Sequence, residues 1–154
     1  TQMMDRIARQ AEAHLCRHEA FGTLAGDLRE QADGVVDFGD AVARAMATLS
    51  RDLKVRAVVV FSQSGTSATT MSSARPAAPI VAVSSQADTC RRVALCWGVL
   101  PVEVDVDDIE DKPTLSRQLV AGLDLASKGE FILLVQGFHA RPQHATPTIT
   151  LLAV

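Results

Sequence analysis

The chain has 154 residues, 47% of them hydrophobic and 21% charged, and a formal net charge of −3. That balance is globular and excludes a disordered chain, and no uninterrupted apolar run reaches the roughly 18 residues that would span a bilayer. The acidic excess and the lone adjacent basic pair, Arg91 and Arg92, exclude a general attraction for nucleic acid. The length is that of one ordinary domain, here taken as residues 1–154.

Met3, Met4, Ile7, Ala8, Ala11 and Leu15 recur at spacings of three and four, which predicts an amphipathic helix over about 2 to 18. The same N-terminal stretch, TQMMDRIARQ, has no apolar signal-peptide core, so a cytoplasmic location is expected. After a polar, glycine-bearing stretch, Val42, Ala45, Met46, Leu49 and Leu53 predict a second helix with Asp40 as its cap. From Ala57 the period changes. AVVVF is a continuous, β-branched run, as expected of a strand covered on both faces, and similar runs return at 79–83, 99–104 and 131–135. Between them lie helix candidates at Thr66 to Ala74, Asp88 to Trp97 and Leu115 to Ala126, the last preceded by Pro113 in its first turn. The closing TITLLAV is expected as an edge strand. The loop before it is too short for a parallel crossover and so implies antiparallel pairing. The predicted fold class is α/β: three layers, a five-stranded, mostly parallel sheet with the last strand antiparallel, flanked by helices.

In an open parallel sheet, ligands bind at the carboxyl ends of the strands, near the point where the strand order reverses. The stretch VVVFSQSGTSA leaves a strand at such an edge. Ser62, Ser64, Thr66 and Ser67 gather hydroxyls and free backbone N–H groups where a helix must start, an arrangement suited to an anion. The plainer alternative is that Ser64 or Thr66 merely caps that helix. The loop GFHARPQHATP, with His139, Arg141 and His144, follows another strand at the same edge. Arg141 there would offer a planar fork to phosphate oxygens, or else point into water. Neither usual nucleotide fingerprint, G-x-x-x-x-G-K-[ST] or G-x-G-x-x-G, is present. The chain order Ser64, Asp105 to Asp108, then His139 or His144 matches a serine hydrolase triad, but the elbow G-x-S-x-G is incomplete. Of His14, Cys16 and His18, the two histidines, four apart, share a helical face without a third ligand at helical spacing, and EVDVDDIED lacks the glycine of a calcium loop, so no metal site is expected. Cys16, Cys90 and Cys96 form no CxxC pair and are expected as reduced, packed thiols.

Several segments in this order and spacing resemble the C-terminal domain of pyruvate kinase, and together they cover nearly the whole chain. MMDRIARQAE resembles that domain's opening helix, AVVVFSQSGTSA its first strand and effector loop, and SSARPAAPIVAVSS its second strand with the preceding Arg-Pro. RRVALCWGVLPVEVD resembles its next helix and third strand and carries the most specific run, Trp97, Gly98, Val99 and Pro101. KGEFILLVQGF follows, with Glu130 where the family usually has aspartate, and TPTITLLAV resembles its closing strand.

The resemblance implies a regulatory domain that also mediates subunit contacts in a homotetramer, with no catalytic residue and no cofactor of its own. Phosphoryl transfer from phosphoenolpyruvate to ADP, with its Mg and K, would reside in a (β/α)₈ barrel of about 250 residues, so this chain alone is expected to be inactive, an excised fragment or a free-standing relative. The implied partners are that barrel, further copies of the chain and a phosphorylated small molecule, with neither nucleic acid nor membrane among them. The family's effector loop assigns phosphate contacts to Ser62, Ser64, Gly65, Thr66 and Ser67, joined by Arg141, and a second loop to Phe138, His139 and His144. Two departures stand out. Phe138-His139-Ala140-Arg141-Pro142 replaces the Trp-Arg-Pro-Gly common in fructose-bisphosphate-regulated members, and Thr66 stands where many relatives have arginine. A sugar bisphosphate, a sugar monophosphate, AMP or no effector therefore all remain open, as does a purely structural interface module.

Overall fold

The computed structural model describes residues 2–17, 38–105, 111–136 and 147–154. The chain divides into two compact units, Thr1–Val35 and Val36–Val154. In the first, α1 (Gln2–Arg17) forms over nearly the predicted span. An exposed i,i+4 ion pair, Arg9 Nε to Asp5 Oδ2 at 2.9 Å, lies along it, and the apolar positions Met3, Met4 and Ile7 are exposed.

The second unit runs α2 (Phe38–Asp52), β1 (Val58–Phe61), α3 (Thr66–Ser73), β2 (Ile80–Ser84), α4 (Ala87–Val93), β3 (Val99–Glu103), α5 (Lys112–Gly122), β4 (Phe131–Gln136) and β5 (Thr148–Ala153). The sheet order is β3-β2-β1-β4-β5. β1 to β4 are parallel and β5 pairs antiparallel with β4, from Phe131↔Ala153 to Gln136↔Thr148. The expected α/β class and its antiparallel last strand are therefore both present.

Alternation along the buried strands splits the core into two layers. Val58, Val60, Ile80, Ala82, Leu133 and Val135 face Met46 of α2, Met71 of α3 and Val93 of α4. Val59, Val81, Val83, Ile132, Leu134 and Leu152 face Val120 of α5 and Ala126 beyond it. The sidedness follows from the topology. β1, β2 and β3 step outward in one direction, so their right-handed crossovers put α3 and α4 on one face, while the return to β4 puts α5 on the other.

Local chemistry sets the helix ends, and here the structure departs from the sequence reading. Asp40 lies inside the first turn of α2, which starts at Phe38, rather than at the position before the helix. α4 stops at Val93, four residues early, and Ala94 is exposed. The chain then turns through Gly98 at φ +67°, a conformation glycine adopts without a Cβ penalty, and Gly98 accepts from Ile80 N at 2.8 Å. α5 begins at Lys112, with Asp111 Oδ1 accepting from Thr114 N at 3.0 Å and a proline in the first turn. Hydrogen bonding from the Thr114 side chain, and then from its backbone N–H, holds the Asp111 carboxyl below its usual pKa, and the cap gives the end of EVDVDDIED a role; residues 106–110 lie outside the described residues.

Two segments of the resemblance meet in space: the Arg75 guanidinium lies 4.8 Å from the ring centroid of Trp97, whose carbonyl accepts from Ser72 Oγ at 2.7 Å. Glu130 accepts from Ser127 N at 2.7 Å and pairs with Arg56 at 3.2 Å, which accounts for a long carboxylate at that turn. Cys90 is buried and Cys96 half-buried, both as free thiols, and desolvation followed by the charge of Glu103 pushes the Cys90 thiol pKa up. The side chain of Cys16 lies outside the described residues.

Candidate functional site

β1 is flanked by β2 on one side and β4 on the other, so the strand order reverses beside it, and the loop Ser62 to Gly65 leaves the sheet at that switch point. Its start continues the sheet: Ser62 N donates to Val83 O at 2.9 Å. The loop's carbonyls are then tied to the next crossover. Thr89 Oγ1 of α4 donates to Gln63 O at 2.8 Å, Arg92 Nη2 donates to Ser64 O at 3.1 Å, and Ser85 Oγ donates to Gln63 Oε1 at 3.0 Å.

The N-cap of α3 is Gly65, in the left-handed region at φ +83°, and no side chain caps the helix. This corrects the capping alternative. Ser64 Oγ and Thr66 Oγ1 are 3.0 Å apart and hydrogen-bond each other, and Thr66 N reaches Ser64 Oγ at 3.5 Å, the very limit of such a bond. A helix start leaves its first amides without intrahelical acceptors and carries a partial positive charge, so this end of α3 suits an anion. Glycine is required at 65 on two counts, its φ and its space: a Cβ there would lie 2.9 Å from Val93 Cγ1.

The structure sorts the predicted site residues. Ser64, Gly65 and Thr66 line a depression of about 320 Å³ between α3 and α4, together with Thr69, Thr70, Arg92 and Val93. Ser67, only 8% exposed, and Ser62, only 7% exposed, are not among its lining residues. Ser62 Oγ is buried without a hydrogen-bond partner. Phe138, His139, Arg141 and His144 lie outside the described residues, as do His18 of the metal reading and Asp107 and Asp108 of the triad reading. Ser64, the serine of that triad, has the Thr66 hydroxyl as its side-chain partner among the described residues.

Sequence reasoning missed Arg92, Thr69 and Thr70. The signal for the threonines was available, since positions 66, 69 and 70 share one face of the helix. For Arg92 it was not, because its place beside the loop depends on how α4 packs over β2. Among the described residues, no group of three or more His, Cys, Asp or Glu is placed to hold a metal ion, and no helix is long and apolar enough to cross a membrane.

Comparison with known proteins agrees with this architecture. The family described as "Pyruvate kinase, alpha/beta domain" matches residues 40–152. A pyruvate kinase of Clostridium acetobutylicum is 27% identical over 98% of this chain and 30% of its own length, and one of Agrobacterium vitis is 30% identical over 99% and 31%. The chain thus spans about a third of the length of these relatives. A solved structure, Cryptosporidium parvum pyruvate kinase in complex with ADP, superposes with a TM-score of 0.73 at 16% identity, covering 86% of this chain and 27% of that one. With the five-stranded sheet and its antiparallel edge in place, and the family matched across nearly the whole second unit, the chain belongs to the pyruvate kinase alpha/beta domain family.

Proposed function

We propose that this chain is the regulatory and assembly domain of a pyruvate kinase, and that it binds a phosphorylated metabolite at the loop leaving β1. On this reading residues 1–154 form one domain joined to a catalytic barrel, where phosphoryl transfer from phosphoenolpyruvate to ADP takes place with Mg and K. The chain itself carries no catalytic residue and works within a cytoplasmic homo-oligomer.

What supports the ligand site is the state of the loop. α3 opens without a side-chain cap, and the Ser62 hydroxyl just before it is buried and unpartnered. A buried hydroxyl without a partner costs about 1–3 kcal/mol. A phosphate oxygen accepting from the opening amides of α3 and from the exposed hydroxyls of Ser64 and Thr66 would satisfy those donors, and the helix dipole favours its charge. Ser62, Ser64, Gly65, Thr66 and Ser67 are the contacts assigned on this side, with Arg141 and the loop of Phe138, His139 and His144 assigned to the other. Regulation then follows from linkage: contacts made unequally in two quaternary states shift their populations, and the domain interface transmits the bias to the barrel.

The test is a calorimetric titration of the chain with fructose 1,6-bisphosphate, ribose 5-phosphate, glucose 6-phosphate and AMP, repeated on the double variant Ser64→Ala, Thr66→Ala. At least one ligand is expected to bind the parent chain and to be lost in the variant with little change in stability, because neither hydroxyl caps the helix. Silence from all four on the parent chain removes the effector role and leaves a structural interface module.

A further inference from the structure

The geometry points to Arg92 as a cation of this site, holding a single phosphate monoester in the depression between α3 and α4; the inference deepens the effector reading above and rests on it. Arg92 sits in the last turn of α4, where nothing in the sequence linked it to the loop after β1. Its Nη2 donates to Ser64 O at 3.1 Å and to Thr89 Oγ1 at 3.1 Å. Thr89 Oγ1 in turn donates to Gln63 O, so the guanidinium is braced against the loop rather than free in water.

Among the described residues its charge is uncompensated: the one carboxylate a turn back on the same helix, Asp88, is engaged by Arg91 at 2.7 Å, and Arg92 makes no ion pair with any of them. A guanidinium has five N–H donors, and the two bonds above use only those on Nη2, leaving Nε and both hydrogens of Nη1 for a ligand. Around that head the depression of about 320 Å³ presents the hydroxyl residues Ser64, Thr66, Thr69 and Thr70, and no carboxylate among the described residues. A planar, permanently charged donor beside hydroxyls and an uncapped helix start matches the oxygens of one phosphate. Arg92 is the one cation among the described lining residues, and with the partial positive charge of the helix start it is set against the charge of one phosphate group.

Calorimetry with ribose 5-phosphate and fructose 1,6-bisphosphate, at low and moderate salt, on the parent chain, Arg92→Gln, Arg92→Lys and Arg91→Gln decides the matter. Arg92→Gln is expected to weaken ribose 5-phosphate at least about tenfold, as loss of a charge-assisted bond implies, and to flatten the salt dependence. Arg92→Lys should restore part of the affinity, and Arg91→Gln, which frees Asp88 four residues before Arg92, should weaken it less than Arg92→Gln does. Should Arg92→Gln fail to fold, titration of the parent chain with inorganic phosphate, followed by NMR, is expected to shift the Arg92 Nε–H resonance together with the Thr66 amide. Unchanged resonances overturn the assignment. If the parent chain binds but Arg92→Gln binds as tightly with the same salt dependence, Arg92 is only a strut and the effector reading survives alone. If the parent chain binds nothing, both fall together. A preference of more than about tenfold for the bisphosphate, which is about the contribution of one further charge-assisted contact, refutes the single-phosphate assignment.

Discussion

Gly65 offers the sharpest test of how the loop is built. Replacing it with alanine imposes two costs. The first is conformational: a non-glycine residue at φ +83° costs roughly 1–2 kcal/mol, partly offset by about 0.4–1 kcal/mol from the stiffer unfolded chain. The second is steric. The new Cβ would lie 2.9 Å from Val93 Cγ1 and 3.3 Å from Thr89 Cγ2, against the roughly 3.5–4.0 Å that carbon atoms prefer. Val93 cannot easily yield, being 3% exposed in the core and stiff at χ1 as a β-branched residue on a helix. Such overpacking costs about 1–3 kcal/mol, giving a total of about 2–4 kcal/mol.

Gly129 supplies the control, since it has φ +90° but nothing within 4 Å of an added Cβ, so Gly129→Ala should cost only about 0.5–1 kcal/mol. Thermal unfolding followed by Trp97, the chain's one tryptophan, reports on the unit that holds both glycines. At about 2–4 °C per kcal/mol for a chain of this size, Gly65→Ala is expected to lower Tm by about 5–15 °C and Gly129→Ala by about 1–4 °C. Adding Val93→Ala to Gly65→Ala should cost less than Val93→Ala alone, by about the steric 1–3 kcal/mol. Equal losses for the two glycines, or additivity in the Val93 cycle, would refute the claim that close packing of α4 fixes this turn.

Other outcomes follow from the same packing. Met71→Ala removes a side chain with no exposed surface from the layer under α3 and should cost about 2–5 kcal/mol, read from the urea midpoint. Ser72→Ala deletes the 2.7 Å bond to the Trp97 carbonyl and should cost about 1 kcal/mol, with a change in Trp97 emission; an unchanged spectrum and midpoint would count against the contact. Asp111 tests the pH dependence of a cap. Its carboxyl pKa is lowered in the folded state, first by its bonds to Thr114, so the stability it contributes is present above the ordinary carboxylate range and is lost as pH falls through the lowered value. The Tm difference between the parent chain and Asp111→Ala should therefore be present at neutral pH and vanish in strong acid, while Asp111→Asn should retain part of it at neutral pH.

Much of this molecule is decided within short windows of the sequence. The β-branched runs AVVVF, PIVAV and FILLV announce buried strands because both faces of a covered parallel strand must be apolar, and the short link before TITLLAV leaves only antiparallel pairing. The hydroxyl-rich turn after β1 was legible for the same reason, since a strand that ends and a helix that begins within four residues must expose its amides there. What tertiary packing alone decided is which groups share that edge. Gly65, not Ser64 or Thr66, became the cap because Val93 leaves no room for a Cβ, and α4 ended at Val93 because Gly98 had to return the chain to β3 beside β2. Arg92 reached the loop because a right-handed crossover laid α4 on the same face as α3, a proximity set by sheet order across 28 residues and invisible to any local pattern.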